Sequence, residues 1–316
     1  MKLNASETVQ NPPATTSSVT ALLRDLIDYA GLFPPASLNM VSAVTRYDEY
    51  LRSEWKWVLG RFIVPVARLD EFKEALAGLE TLKPRNGFTN WRLSVLLGSE
   101  PVDDIARVRA FQARKADSRS ARRSIIESLE MKVSTPDEIK QVSGIAPAGM
   151  KVYFELPPSG RDECIAMIAK CGRRAKIRTG GETADKFPAP ESVVEFVRVC
   201  AAAKVPFKAT GGLHHPLRSV HRLTYQPDSP SEIMHGFLNV FLAACFVWSG
   251  MDRALAAELL QEQSAQAFRF DEDHLGWRGH RLGLGEIAAA RRNFAVSFGS
   301  CSFTEPIDDL RALHLL

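Results

Sequence analysis

A chain of 316 residues, 45% of them hydrophobic, can bury a large core, and a parallel barrel of about 250 residues with extensions fits that length. A formal net charge of +3 is too small to point to nucleic acid or an anionic membrane as the main partner. Five cysteines, Cys164, Cys171, Cys200, Cys245 and Cys301, form no CxxC pair and fall mostly in apolar runs, so they read as reduced packing residues of a cytoplasmic protein.

Residues 1–20 are rich in Ser, Thr, Ala and Pro without the basic start and apolar run of a signal peptide, and read as a flexible tail before a single domain over 21–316. Val19 to Tyr29 has helical spacing, Gly31-Leu32-Phe33-Pro34-Pro35 reads as a rigid loop, and helical spacing resumes from Ser42 to Glu54. Strands are predicted at Trp57 to Val66, Trp91 to Leu97, Ile125 to Val133 and Lys151 to Leu156, with helices between them over Leu69 to Leu79, Val102 to Ala116 and Pro136 to Val142. A helix over Arg161 to Cys171 leads into a strand ending Lys176-Ile177-Arg178-Thr179-Gly180-Gly181. Pro190 opens the next helix, and a strand follows that reads Phe207-Lys208-Ala209-Thr210-Gly211-Gly212. Phe294 to Cys301 gives a late strand, and an early one near Tyr29 to Phe33 brings the set to eight.

Strict alternation of strands and helices signals a parallel sheet, and eight units favour closure into a TIM-type (β/α)8 barrel over an open doubly wound sheet. The rhythm breaks over 214–293, read as a helical insertion before the last strand. It holds the apolar helix Phe237 to Trp248, too short to span a bilayer, a helix over Met251 to Gln263, and the polar, aromatic segment Phe268 to His280. An insertion on that edge acts as a lid or as a contact in a homo-oligomer. The basic run Arg107 to Arg123 is offset by Glu100, Asp103, Asp104 and Asp117 and reads as a solvated helix and loop rather than a nucleic-acid patch.

Side chains alternate along a strand, so Lys176 and Arg178 share one face, as do Lys208 and Thr210, while Ile177, Phe207 and Ala209 point the other way. If the polar face is the barrel interior, two lysines and an arginine converge there. Such a lysine is either neutralised by a carboxylate, with Glu155 on the preceding strand the obvious partner, or has a depressed pKa and attacks a carbonyl to form a Schiff base. Lowering a lysine from about 10.4 to about 7 takes roughly 4 to 5 kcal/mol. A second cation about 5 Å away contributes on the order of 3 kcal/mol at an effective dielectric near 20, and partial desolvation adds to it. Lys208 or Arg178 would nearly suffice, whereas direct contact from Glu155 would keep Lys176 protonated.

This pair of strands resembles the one that carries the reactive lysine in the deoxyribose-phosphate aldolase family of class I aldolases. Lys176-Ile-Arg-Thr-Gly-Gly looks like the Schiff-base strand and Lys208-Ala-Thr-Gly-Gly-Leu like the next. Met150-Lys-Val-Tyr-Phe-Glu155 is similar to the family's preceding strand, and Phe298-Gly-Ser-Cys-Ser302 to its last strand and phosphate loop. The resemblance covers the C-terminal half of the barrel. It implies a barrel lyase acting on a small anionic carbonyl compound, with Lys176 as nucleophile and Lys208 as the cation that lowers its pKa. Gly211, Gly212, Gly299, Ser300 and Ser302 become backbone and hydroxyl donors to a phosphate or other anion, beside Thr210 and Arg178. Three positions depart from the family's pattern. Trp91 to Leu97 lacks the family's acidic residue, so Glu127 or Glu130 on the next strand stands in for it; Arg178 replaces a small hydroxyl residue; and His214-His215 replaces a phosphate-binding residue. Glu130 or Glu155 would move protons, and His214 would bind the anion.

Two other readings stay open. His214, His215 and His235 with Glu155 and Glu130 could hold a divalent ion, as in a metal-dependent barrel lyase or hydrolase, although no HxH or HExxH spacing is present. A barrel without catalysis could serve binding or assembly through exposed apolar area on Phe237 to Trp248. No organic cofactor is implied, because there is no dinucleotide fingerprint after an early strand and no Walker loop.

Overall fold

A computed structural model describes residues 15–82, 89–113 and 122–316. Most of the expected tail, and residues 114–121 of the basic run, lie outside the described residues. Eight parallel strands close into a barrel: β1 (Ile27–Tyr29), β2 (Leu59–Pro65), β3 (Thr89–Leu96), β4 (Arg122–Lys132), β5 (Lys151–Glu155), β6 (Arg174–Arg178), β7 (Phe207–Thr210) and, last in the chain, β13 (Ala295–Ser300). Each pairs with its neighbour in chain order, and β13 closes the ring between β7 and β1, so no edge strand is left.

The strands form where β-branched, aromatic and polar residues alternate, and the alternation fixes the layers. On β6, Ala175 and Ile177 are buried toward the helices, while the lysine between them reaches across the bore to β4 and β5. The outer layer follows the same alternation: α2 (Met40–Tyr50), α3 (Leu69–Leu82), α4 (Pro101–Ala113), α5 (Pro136–Ile145), α6 (Arg161–Lys170) and α7 (Pro190–Ala202). Their starts carry the expected signals. Asn39 accepts from the Ser42 N–H at 2.8 Å, Thr135 and Glu138 form a capping box, and Pro190 takes the first turn of α7.

The structure corrects the N-terminal reading. Val19 to Tyr29 is not one helix: α1 covers Ser17–Leu23, Asp25 turns the chain at φ 53°, and β1 begins at Ile27. The first barrel strand therefore ends at Tyr29 rather than starting there. Ser17 is held by its N–H and hydroxyl to the Glu272 carboxylate, 3.0 and 2.7 Å, so residues 17–20 belong to the packed domain rather than to a tail.

The 214–293 stretch is more than a helical insertion. It holds the hairpin β8 (Ser219–Arg222) with β9 (Ser231–Met234), then α8 (Phe237–Trp248) and α9 (Arg253–Gln261). A three-stranded antiparallel sheet of β10 (Phe268–Phe270), β11 (His274–Trp277) and β12 (His280–Gly283) follows, and α10 (Leu284–Asn293) leads into β13. The chain then ends in α11 (Thr304–Ala312). α8 packs on α7, α9, α10 and β13, and its residues from Phe237 to Phe246 are all buried, so it is part of the helical ring. The exposed apolar area expected there for assembly is absent among those residues because the chain itself covers it. Asn239, fully buried in α8, donates to the Leu259 and Glu262 carbonyls and accepts from the Arg218 N–H, which ties α8 to the end of α9 and to the segment after β7. No helix among the described residues is long and apolar enough to cross a membrane.

Candidate active site

The barrel interior is charged through most of its depth rather than filled with aliphatic layers. Midway along β6, Lys176 contacts Glu130 on β4 at 2.8 Å and Glu155 on β5 at 3.0 Å. Lys208 on β7 bonds the other oxygen of Glu130 and reaches Asp28 on β1 at 2.7 Å. Arg178 holds Glu155 through Nε and Nη2, both at 2.9 Å. The result is one row of alternating charge, Asp28, Lys208, Glu130, Lys176, Glu155 and Arg178, running from the middle of the bore to its rim. Hydroxyls complete it: Ser297 donates to Asp28 at 2.8 Å and Ser94 to Glu130 at 2.6 Å.

Lys176 is 5% exposed, Lys208 1% and Glu130 0%, so the row lies in a low-dielectric interior where each charge depends on its partner. Burial alone would lower the Lys176 pKa, but Glu130 and Glu155 outweigh burial and Lys208 together, and its pKa is raised. Burial is likewise outweighed at Lys208, by Asp28 and Glu130, and its pKa rises too. Burial pushes the Glu130 carboxyl up, yet Lys176 and Lys208 hold it well below its ordinary value; Glu155 and Asp28 are lowered by their own cations in the same way. This corrects the expectation that Lys208 or Arg178 lowers the Lys176 pKa: each cation is neutralised by a carboxylate lying between it and Lys176.

Close approach of backbone explains several glycines. A side chain at Gly60 on β2 would meet the Asp28 carboxylate at 2.1 Å, so glycine leaves room for the buried acid. Gly211 and Gly212, at φ 77° and 71°, turn the end of β7 against Gly180, whose Cα would lie 2.9 Å from a Cβ at Gly212. The Thr179 hydroxyl donates to the Gly211 carbonyl at 2.7 Å and joins the two loops. Arg178 Nη1 lies beside this paired turn, 3.2 Å from where a Gly211 Cβ would stand. Thr210 and Gly299 are register partners on β7 and β13 and face the same rim.

The remaining predicted ligands have local roles. Ser302 accepts from the Glu305 N–H at 3.2 Å at the start of α11, and the Ser300 hydroxyl accepts from the Ser302 N–H at 3.4 Å. His214 and His215 turn toward α11, where they meet Glu305 at 3.1 Å and Asp309 at 2.6 Å. His235 is buried elsewhere, 2.8 Å from the Pro188 carbonyl and 3.3 Å from Arg218. The three histidines and Glu155 are therefore not brought together, and no group of three or more His, Cys, Asp or Glu among the described residues is placed to hold a metal ion. A cavity of about 550 Å³ lies beside Arg46, Tyr225, Cys301 and Glu305, and one of about 260 Å³ beside His214, His215 and His221. Tyr225 and Glu305 line both, and neither cavity is lined by Lys176 or Lys208.

Asp28 is the partner that sequence reasoning missed. Its signal was one acid in the apolar run Leu26-Ile27-Asp28-Tyr29, which helical spacing had absorbed into a longer helix. Arg61 and Ser297 were missed for a related reason, since each is an isolated polar residue in an apolar strand. Compared with known proteins, the chain matches no family model and no curated protein.

Proposed function

We propose that this protein is a carbon–carbon lyase of class I aldolase type, in which the Lys176 amine forms a Schiff base with a small anionic carbonyl compound. The observation that supports the reading is the position of Lys176: a nearly buried amine between two carboxylates inside a closed parallel barrel, two residues before Arg178 at the C-terminal end of β6. Chemistry in barrels of this kind collects at that end.

Lys176 rests as the ammonium, so a carboxylate must take its proton before it can attack. Arg178 links substrate arrival to that step. It is half-exposed, bound to Glu155 and next to the Gly211–Gly212 turn. An incoming carboxylate or phosphate that draws Arg178 toward itself weakens its hold on Glu155 and makes Glu155 the better base. Glu155 then accepts the ammonium proton, and the free amine adds to the carbonyl carbon. The carbinolamine hydroxyl leaves as water with the proton returned by the carboxylic acid, giving an iminium that takes up the electron pair of the bond between its α and β carbons as that bond breaks and so becomes the enamine. The proton of the substrate hydroxyl passes to a carboxylate, Glu130 or Glu155. Protonation of the enamine and hydrolysis restore Lys176.

The test is borohydride trapping with two- to five-carbon aldehydes and ketones, with and without a carboxylate or phosphate, read by peptide mass spectrometry. A reduced adduct on the Lys176 peptide is expected for an anionic carbonyl, and its loss in Lys176→Met. Adducts confined to exposed lysines across the whole panel would make Lys176 a structural ion-pair partner and end the proposal.

A further inference from the structure

A second charged cluster lies at the opposite, N-terminal mouth of the barrel, and its balance is different. Arg61 on β2 and Arg92 on β3 share Glu127, both at 3.0 Å, and Arg92 also reaches Asp25 at 2.6 Å. Lys151 and Arg174 open β5 and β6, and among the described residues neither has a carboxylate within ion-pairing distance. Arg174 meets Tyr153, 3.5 Å from its hydroxyl and 5.6 Å over its ring. Lys151 lies on the same face of its strand as Tyr153, and Arg174 is the register partner of Tyr153 on β6, so the two unmatched cations face one opening from adjacent strands.

We propose that this mouth binds a small dianion, with the charge of phosphate or a dicarboxylate, between Lys151 and Arg174, with Arg61 behind them. Two unmatched positive charges on adjacent strands call for two negative ones, and a guanidinium fork beside an ammonium suits an oxyanion with two or more oxygens. The effect of the cluster on Lys151 agrees: burial, then Arg61 and Arg174, lower its pKa, with Glu127 the one group opposing them. A bound dianion would reverse that direction. Tyr153 stands between Lys208 of the row around Lys176 and Arg174 of this mouth, and Arg61 links the two, its Nη1 3.6 Å from Asp28.

The test uses the full chain carrying Arg178→Met, which removes the exposed guanidinium at the other end, and inorganic phosphate or malonate against chloride at constant ionic strength. A saturable rise in Tm is expected, and its loss on adding Lys151→Met or Arg174→Met. A rise that survives both substitutions, or none at all, overturns the site. Reductive ¹³C-methylation with NMR titration, assigned through Lys151→Met, gives a reading that needs no folded double variant. The Lys151 midpoint should move up by about one unit or more with phosphate, and an unmoved midpoint overturns the proposal. Formaldehyde enters the second measurement only as the labelling reagent and the titrants are not carbonyl substrates, so neither result depends on Lys176 acting as a nucleophile.

Discussion

Two charged layers lie one above the other inside the barrel, on either side of the Tyr153 ring, and they are balanced differently. In the upper layer every cation touches a carboxylate, and Lys208, Glu130 and Asp28 are almost wholly out of water. In the lower layer Glu127 and Asp25 are about one-quarter and two-fifths exposed, at 26% and 44%, and among the described residues Lys151 and Arg174 have no carboxylate within ion-pairing distance. Burial requires pairing because an unmatched charge in the interior costs several kcal/mol, whereas water at the lower mouth screens the surplus. A balanced, dry row holds its protons until a ligand disturbs it. A wet, unbalanced cluster is available to take up an anion.

The largest effect should come from breaking the dry row. Lys208→Met leaves Asp28 and Glu130 facing each other with one cation fewer, and should cost about 3 to 5 kcal/mol in urea unfolding at pH 7. Arg92→Met in the lower layer should cost no more than about 1 kcal/mol, because its partners reach solvent. Equal costs would erase the distinction between the layers.

Acid separates wild type from Lys208→Met in a second way. Asp28, Glu130 and Glu155 have folded pKa values below the ordinary 3.8 and 4.5, so their stabilisation is complete above those values and is lost as pH falls through the lower folded ones. In Lys208→Met, burial with less compensation should raise the Asp28 and Glu130 carboxyls instead, and acid should then relieve the variant. The stability gap between wild type and Lys208→Met should therefore narrow from pH 7 to pH 4.5 in parallel urea series. A gap that widens would mean that Lys208 is not what holds these acids ionised.

The smallest effect is expected at Lys151. Its folded pKa is lowered, so its ammonium opposes folding below that value, and Lys151→Met should leave stability unchanged or raise it by up to about 0.5 kcal/mol at pH 7. The gain should fade as pH rises from the lowered folded value toward the ordinary 10.5, as the wild-type amine loses its charge. A clear loss at pH 7 would show that Lys151 is already paired.

Much of this was legible without coordinates. Seven of the eight barrel strands were placed within a few residues because alternation of period 2 and helical spacing are local properties, and the boundaries of Phe237–Trp248 coincide with α8. β1 was placed too late, near Tyr29 to Phe33, because three residues of strand between a turn and a loop carry too short a pattern to compete with the helical spacing before them.

From the sequence alone came the succession of strands and helices, the polar faces of the two strands that carry Lys176 and Lys208, and four charged residues, Lys176, Lys208, Glu130 and Glu155, that share the bore. Closure of the barrel decided what those charges do. Asp28 and Ser297 lie 269 positions apart and meet only because β13 closes on β1, and Glu130 receives both lysines only because β4, β6 and β7 surround one axis. Whether a lysine beside another cation is pushed toward the free amine or held as the ammonium depends on which carboxylates stand between them at about 3 Å, because charge interactions fall with distance and grow with burial. That is a property of the closed ring and not of any one strand.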